Sequence, residues 1–94
     1  MTGQYSVVIE VKAVKQIKKL DRPQRALLIN WIAENLEGCE NPYVVSGAKK
    51  LEGIDNGVRY RVGNYRILAT VHKDLVQIKV FTVGHRSQVY RNLK

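Results

Sequence analysis

The N-terminal half of the chain spaces its apolar residues in a way that predicts one strand followed by two helices. YSVVIE (5–10) is rich in β-branched residues and partly alternates with polar ones, which is typical of a strand. In VKAVKQIKKL (11–20), Val14, Ile17 and Leu20 recur every three residues and therefore share one side of a helix. The lysines of this segment are expected to point largely to solvent, so the first helix is predicted to be amphipathic.

The second predicted helix is marked by its ends as well as by its apolar stripe. Asp21 is expected to cap it, with Gln24 three residues on, and Pro23 suits the first turn because its missing N–H costs nothing there. Gly38 is a natural stop, so the helix is predicted over about residues 22–37. The stripe that is expected to enter the core consists of Leu28, Trp31, Ile32 and Leu36.

The C-terminal half predicts a loop and then three strands joined by two tight hairpins. Residues 38–57 hold four of the seven glycines and are expected to form a partly ordered connecting segment. The predicted strands and turns are 58–62, Gly63-Asn64, 65–72, Lys73-Asp74 and 75–83.

These hairpin registers divide the strand residues between two faces, because side chains alternate along a strand. The face expected to receive the helices carries Tyr60, Val62, Tyr65, Ile67, Ala69, Val71, Val76, Ile78 and Val80. The other face carries Arg59, Arg61, Arg66, Leu68, Thr70, Gln77, Lys79 and Phe81. On that face Arg61 lies directly opposite Arg66, and like charges paired across strands cost stability. A functional reason for the arginines is therefore expected.

The elements together predict an α+β fold over residues 1–94 as a single domain. An N-terminal strand and a helix pair are expected to pack on one face of a mostly antiparallel sheet, in the order β-α-α-β-β-β.

Charge is distributed unevenly along the chain, which has a net charge of +8. Residues 1–48 carry six basic and five acidic side chains, whereas residues 49–94 carry ten and three. A basic half of this kind favours a polyanionic partner, nucleic acid first and an anionic membrane surface second.

The single cysteine, Cys39, fits a reducing compartment, and no apolar segment approaches the ~20 residues that span a bilayer. We therefore expect a cytoplasmic protein.

The segment VGHRSQVYR (83–91) lies at the end of the last predicted strand and carries the residues best suited to catalysis. His85, Arg86 and Tyr90 are expected to converge with the arginines of the open face. Guanidinium groups match phosphate oxygens, and histidine titrates near neutrality. No pair of carboxylates accompanies them, so the pattern favours metal-free chemistry on a phosphodiester, with RNA supplying its own 2′-OH nucleophile. Structural roles for His85 and Tyr90, as a hydrogen-bonded imidazole and a packing residue, remain alternatives.

Three motifs, KKLEG (49–53), YRVGNYRIL (60–68) and VGHRSQVY (83–90), resemble the RelE family within the RelE/ParE toxin superfamily. The resemblance covers nearly the whole chain and implies a RelE-like toxin of a bacterial type II toxin–antitoxin system. It implies a ribosome-dependent endoribonuclease, or mRNA interferase, that cleaves mRNA in the A site. The implied partners are a cognate antitoxin, the ribosome and mRNA, in a toxin–antitoxin hetero-oligomer that binds operator DNA through the antitoxin. Neither a cofactor nor a membrane is implied.

The resemblance also assigns roles to individual positions. The residues that it implies for catalysis are Arg59, Arg61, Arg66, Arg86 and Tyr90, and the chemistry of the segment after the last strand adds His85 to the candidate catalytic residues. The residues that are expected to contact RNA are Lys49, Lys50, Lys79 and Phe81. Well-studied members have lysines at the first two catalytic positions, and arginine with a pKa above ~12 is not a base. The base is therefore expected to be His85 or Tyr90.

Two other functions remain open at this point. ParE-like members of the superfamily share the fold and inhibit DNA gyrase without cutting RNA, although the His-Arg and Tyr set favours a nuclease. A non-enzymatic nucleic-acid-binding protein could use the same basic face.

Overall fold

Five strands form one sheet in the computed structural model, which describes residues 4–92, and two helices pack on one of its faces. The strand order is β1-β5-β4-β3-β2; β1 runs parallel to β5 and the other neighbours are antiparallel. The elements are β1 (Ser6–Ile9), α1 (Val11–Lys18), α2 (Arg22–Asn35), β2 (Ala48–Lys50), β3 (Gly57–Val62), β4 (Tyr65–His72), β5 (Gln77–His85) and a final 3-10 turn (Val89–Asn92). The predicted α+β fold is confirmed.

The core lies between the helices and the sheet. It contains the predicted helix-facing strand residues other than Val76, with Tyr65 half-buried at its margin. Burying aliphatic side chains of this size stabilises the fold by roughly 1.5–3 kcal/mol each. The hydroxyl of the buried Tyr60 donates to the carbonyl oxygen of Pro42 at 2.7 Å, and its ring lies 5.5 Å from that of Trp31. From α1, Ala13 and Ile17 are buried and the predicted Val14 is half-buried, as is Leu20, which lies just beyond the end of the helix.

The start of α2 differs from the predicted capping box. Asp21 occupies the N-cap position and its backbone oxygen accepts from Arg25 N–H at 2.9 Å, but its side chain makes no capping hydrogen bond. Pro23 lies in the first turn and has no N–H to offer, which removes one of the amides that a capping side chain would bind. The helix ends at Asn35, and Gly38 follows with a φ of +84°.

The segment over residues 38–57 contains a strand that the pattern did not predict. β2 pairs antiparallel with β3, placing Lys49 opposite Arg59 and Lys50 opposite Val58. Three residues are too few to show an alternating pattern, which is why the strand is invisible in the sequence.

The second hairpin differs from its prediction in turn length and register. Its turn comprises residues 73–76, and Val71 pairs with Ile78 rather than with Val76. Val76 itself lies in the turn with a φ of +49°. A β-bulge follows, because Leu68 pairs with Thr82 while Ala69 pairs with Val80. The register shift is an even number of residues, so Ile78 keeps its predicted face.

The segment that follows α2 covers the start of the outer edge of β1. Glu37 Oε1 accepts a hydrogen bond from Val7 N–H at 3.1 Å. Tyr5 N–H donates to the carbonyl oxygen of Cys39 at 3.0 Å, and Gly38 N–H donates to that of Tyr5 at 2.7 Å. The segment after α2 thus occupies hydrogen-bonding groups at the start of the edge strand.

Apolar residues also cover part of the face opposite the helices. Leu51, Leu68 and Val89 are buried there, with Ile54 and Phe81 packed against them. This second cluster ties the final 3-10 turn to the sheet, and so fixes the chain that follows β5.

Candidate active site

The β3–β4 hairpin builds the basic side of the site. Arg61 pairs directly with Arg66, as predicted, and Arg59 pairs with Leu68. Gly63 provides the turn with a φ of +60°, a conformation that glycine adopts without strain. Arg61 is exposed, whereas Arg59 and Arg66 are half-buried. The hairpin therefore presents three guanidinium groups on the face opposite the helices.

Arg66 is fixed by the hairpin and strongly influenced by its neighbours. Its Nη1 donates to the carbonyl oxygens of Gly63 at 3.1 Å and Tyr65 at 3.0 Å. Burial lowers the pKa of Arg66 from its usual value, an interaction with Tyr90 raises it, and the surrounding arginines lower it further. The fold thus holds a cation in place where other cations repel it.

The chain after β5 turns back over this hairpin. Arg86 N–H donates to the carbonyl oxygen of Asn64 at 2.8 Å, which joins the end of β5 to the turn between β3 and β4. Val89 is 1 % exposed and lies against Gly84, so it anchors the 3-10 turn that carries Tyr90. Sequence alone placed these residues nearby, and the backbone hydrogen bond explains why they converge.

A groove of about 540 Å³ results, here called the arginine groove. All six residues predicted for catalysis line it, together with one serine: Arg59, Arg61, Arg66, His85, Arg86, Ser87 and Tyr90. This lining, which belongs to the described part of the chain, contains four guanidinium groups and no carboxylate. Such a surface is suited to phosphate oxygens.

His85 lines the groove and pairs with Tyr65 across β4 and β5. The two rings meet edge to face, with centroids 5.6 Å apart. His85 Nδ1 lies 2.8 Å from Ser87 Oγ and accepts a hydrogen bond from Ser87 N–H at 3.2 Å. The imidazole is therefore restrained by both neighbours.

The residues predicted to contact RNA lie outside the groove lining. Lys49 pairs with Arg59 and Lys79 with Thr70, so both belong to the open face. Phe81 is half-buried in the second apolar cluster. Lys50 pairs with a core residue and lines a different cleft, with Tyr43 and Lys73, at the far end of β3. The structure thus separates Lys50 from Lys49, Lys79 and the groove arginines.

Three residues support the site through contacts with His85 or Arg86, roles that the sequence did not single out: Ser87, Asn64 and Tyr65. Ser87 could have been noticed because a serine two residues after a histidine can bond to its ring or its backbone. The contributions of Asn64 and Tyr65 depend on register across two strands, which no local pattern reveals.

Residues 4–92 contain no group of three or more His, Cys, Asp or Glu side chains arranged to hold a metal ion. None of the helices in this part of the chain has the length and apolar character needed to cross a membrane.

Comparison with known families decides the class of protein. A family model described as the ParE toxin of type II toxin–antitoxin systems (parDE) matches residues 7–90. The chain belongs to this family, in the RelE/ParE toxin superfamily. It is therefore a toxin of the type II class, and the resemblance seen in its sequence is confirmed. No curated protein sequence matches it significantly.

Solved structures of RelE toxins share the fold of this RelE/ParE toxin. The archaeal RelE–RelB complex of Pyrococcus horikoshii has a TM-score of 0.73 at 25% identity, over 93% of this chain and 100% of that one. The RelB–RelE antitoxin–toxin complex of Methanococcus jannaschii has a TM-score of 0.68 at 27% identity, over 93% of this chain and 99% of that one. The intact Escherichia coli RelBE toxin–antitoxin complex has a TM-score of 0.69 at 25% identity, over 86% of this chain and 95% of that one.

Proposed function

We propose that this toxin is an endoribonuclease that cleaves mRNA on the ribosome. The observation that carries the proposal is the convergence of His85, Arg86 and Tyr90 with three strand arginines in one groove. The likeness to RelE structures supports the same activity. The guanidinium groups can stabilise the charge that develops on the phosphate, and the imidazole and the phenol can transfer protons, which are the two needs of internal RNA cleavage.

In the proposed reaction, the 2′-oxygen of RNA attacks the adjacent phosphorus and the bond to the 5′-oxygen breaks. The products are a 2′,3′-cyclic phosphate and a 5′-hydroxyl. The guanidinium groups of Arg59, Arg61 and Arg66 stabilise the charge that builds up on the phosphate oxygens. His85 and Tyr90 are the candidates for moving the proton off the 2′-hydroxyl and onto the leaving 5′-oxygen.

The need for a ribosome follows from how open the groove is. Arg61, Arg86 and Tyr90 are all exposed, so the protein offers phosphate binding with little that would orient a free strand. Orientation contributes much of the rate in reactions of this kind. We propose that the ribosome supplies it, with Lys49, Lys79 and Phe81 as further contacts to RNA and Lys50 as a separate contact.

Primer extension on cells that express the toxin alone tests this function. We expect translation to stop and cuts to appear inside translated mRNA. Tyr90→Phe and His85→Ala should abolish the cuts while leaving nonspecific RNA affinity nearly intact, and Tyr43→Phe, outside the groove, is the matched control. Cleavage of naked RNA as fast as of ribosome-bound RNA would contradict the ribosome-dependent part.

Inhibition of gyrase is the second candidate, because the matching family model describes ParE toxins. Gyrase-linked DNA breaks with intact mRNA, in the same cells, would select it. In either case we propose a RelB-type antitoxin as the partner, by analogy with the complexes of the structural relatives.

A further inference from the structure

The position of the ring proton on His85 follows from its hydrogen bonds. Ser87 N–H donates to His85 Nδ1 at 3.2 Å, and a backbone amide can only donate. Nδ1 must therefore present its lone pair, so the neutral ring carries its proton on Nε2. Ser87 Oγ, at 2.8 Å from the same nitrogen, can add a second donor through its rotatable hydroxyl.

The surroundings keep the ring in this arrangement. Gln88 N–H donates to the carbonyl oxygen of His85 at 2.9 Å, which closes the turn that holds Ser87 beside the ring. Tyr65 packs its ring edge to face at an interplanar angle of 80°. Among residues 4–92, Nδ1 has these partners while Nε2 makes no hydrogen bond, so Nε2 is the nitrogen left for a ligand.

We propose that Ser87 is a positioning residue that fixes His85 as a hydrogen-bond donor through Nε2. The inference rests on the proposed nuclease function and refines it. A nitrogen that already bears a proton cannot take one from the 2′-hydroxyl, so His85 donates to a phosphate oxygen and does not act as the base. It adds a neutral donor to a groove that already holds four cations. Tyr90 is then the remaining candidate for the base.

The tautomer can be measured on the free chain without any RNA. Long-range ¹H–¹⁵N correlation spectra at about pH 8.5, where an ordinary imidazole is neutral, show which ring nitrogen bears the proton. Signals that disappear in His85→Gln belong to His85 and not to His72. We expect the Nε2–H form in the wild type, a larger share of the Nδ1–H form in Ser87→Ala, and recovery of the wild-type spectrum in Ser87→Thr.

Cleavage on programmed ribosomes tests what the donor does. Glutamine keeps an N–H near the position of Nε2 but is no base. We expect single-turnover cleavage to fall by ~10²-fold or more in His85→Ala and by no more than ~10-fold in His85→Gln. Equal losses in the two variants would overturn the donor role.

The two measurements fail independently of each other. A wild-type ring in the Nδ1–H form, or a tautomer that Ser87→Ala leaves unchanged, overturns the positioning role of Ser87 even if RNA is cut. A wild-type chain that cuts no RNA on ribosomes refutes the proposed function, and the spectra still decide where the proton lies.

Discussion

Arg61 and Arg66 face each other across two strands, but they differ in exposure and in hydrogen bonding. Arg66 Nη1 is held by two backbone carbonyl oxygens of the hairpin, whereas Arg61 is exposed. The direct opposition of two cations costs free energy, and the hydrogen bonds of one partner offset part of that cost. Of the two, Arg61 is the better candidate for a residue retained purely for function.

Replacing Arg61 by glutamine should separate stability from activity. Repulsion is removed, so the free energy of unfolding in urea should stay equal or rise by up to ~1 kcal/mol. Single-turnover cleavage on programmed ribosomes should fall by ~10²-fold or more if this guanidinium faces charge in the transition state. Arg66→Gln is the comparison, because it loses two hydrogen bonds and should unfold more easily by about 1–2 kcal/mol. A destabilised Arg61→Gln that cleaves at the wild-type rate would show that Arg61 is structural.

Val76 stores strain in the turn between β4 and β5. Its φ of +49° lies in the left-handed region, where a β-branched residue is disfavoured by ~1–2 kcal/mol. Val76→Asn should raise the free energy of unfolding by roughly 0.5 kcal/mol or more, after some loss of packing from a half-buried side chain. Leu75→Asn, at an exposed neighbour, is the control and should change stability little. Chemical denaturation measures both, and a larger loss for Val76→Asn than for the control would contradict the strain.

At the scale of elements, a side chain of α1 takes over a hydrogen bond of β5 beyond the point where β1 ends. The parallel pairing stops at Ile9 and Val80, so further along β5 the amide of Val83 lacks a strand partner on that side. Gln16 Oε1 accepts from Val83 N–H at 2.7 Å and fills the gap. A buried donor left without a partner costs about 1–3 kcal/mol.

Gln16→Met keeps the size of the side chain and removes the acceptor. We expect the free energy of unfolding to fall by about 1–3 kcal/mol, because Val83 N–H would be left unsatisfied. Lys15→Met, an exposed change in the same helix, should cost much less. Urea denaturation of the two variants decides the matter, and equal losses would show that the hydrogen bond contributes nothing specific.

The sequence was informative wherever a period covered several residues. The Gly63-Asn64 turn set the register that pairs Arg61 with Arg66, since the flanking strands alternate cleanly. The turn after β4 was predicted too short, because Lys73-Asp74 has the composition of a tight turn while Leu75 and Val76 resemble strand residues. No local signal marks the bulge at Phe81 or the Arg86 to Asn64 hydrogen bond. The candidate residues were therefore predictable, and the contacts that bring them together were not.

At the scale of the whole molecule, basic side chains lie on both sides, but the groove arginines form one cluster on the face opposite the helices. The groove arginines, Lys49 and Lys79 share the face opposite the helices, while the exposed lysines of α1 lie on the other side. An acidic segment of an antitoxin would gain most by binding the open face, where attraction is strongest and sensitive to salt.

Charge reversal should locate the antitoxin on the toxin. Arg66→Glu together with Lys79→Glu is expected to weaken the complex by ~10-fold or more at low salt, and by less at high salt, because salt screens the attraction between charges at the surface. Lys15→Glu with Lys18→Glu makes the same change of charge on α1 and is the control. Titration calorimetry at two salt concentrations measures the effect. A complex weakened mainly by the control pair would place the antitoxin on the helical side.

The covered start of the β1 edge bears on what happens to a toxin chain that has lost its partner. Unpaired strand edges recruit strands from other molecules and seed aggregates. Here Glu37 occupies the amide of Val7 at one border, and the three-residue β2, with two exposed lysines, forms the other. Both borders are therefore poorer templates for a strand of another copy than a long, bare edge strand. A solitary chain should therefore remain dispersed, and its lifetime in the cell would be set by proteolysis or recapture rather than by precipitation.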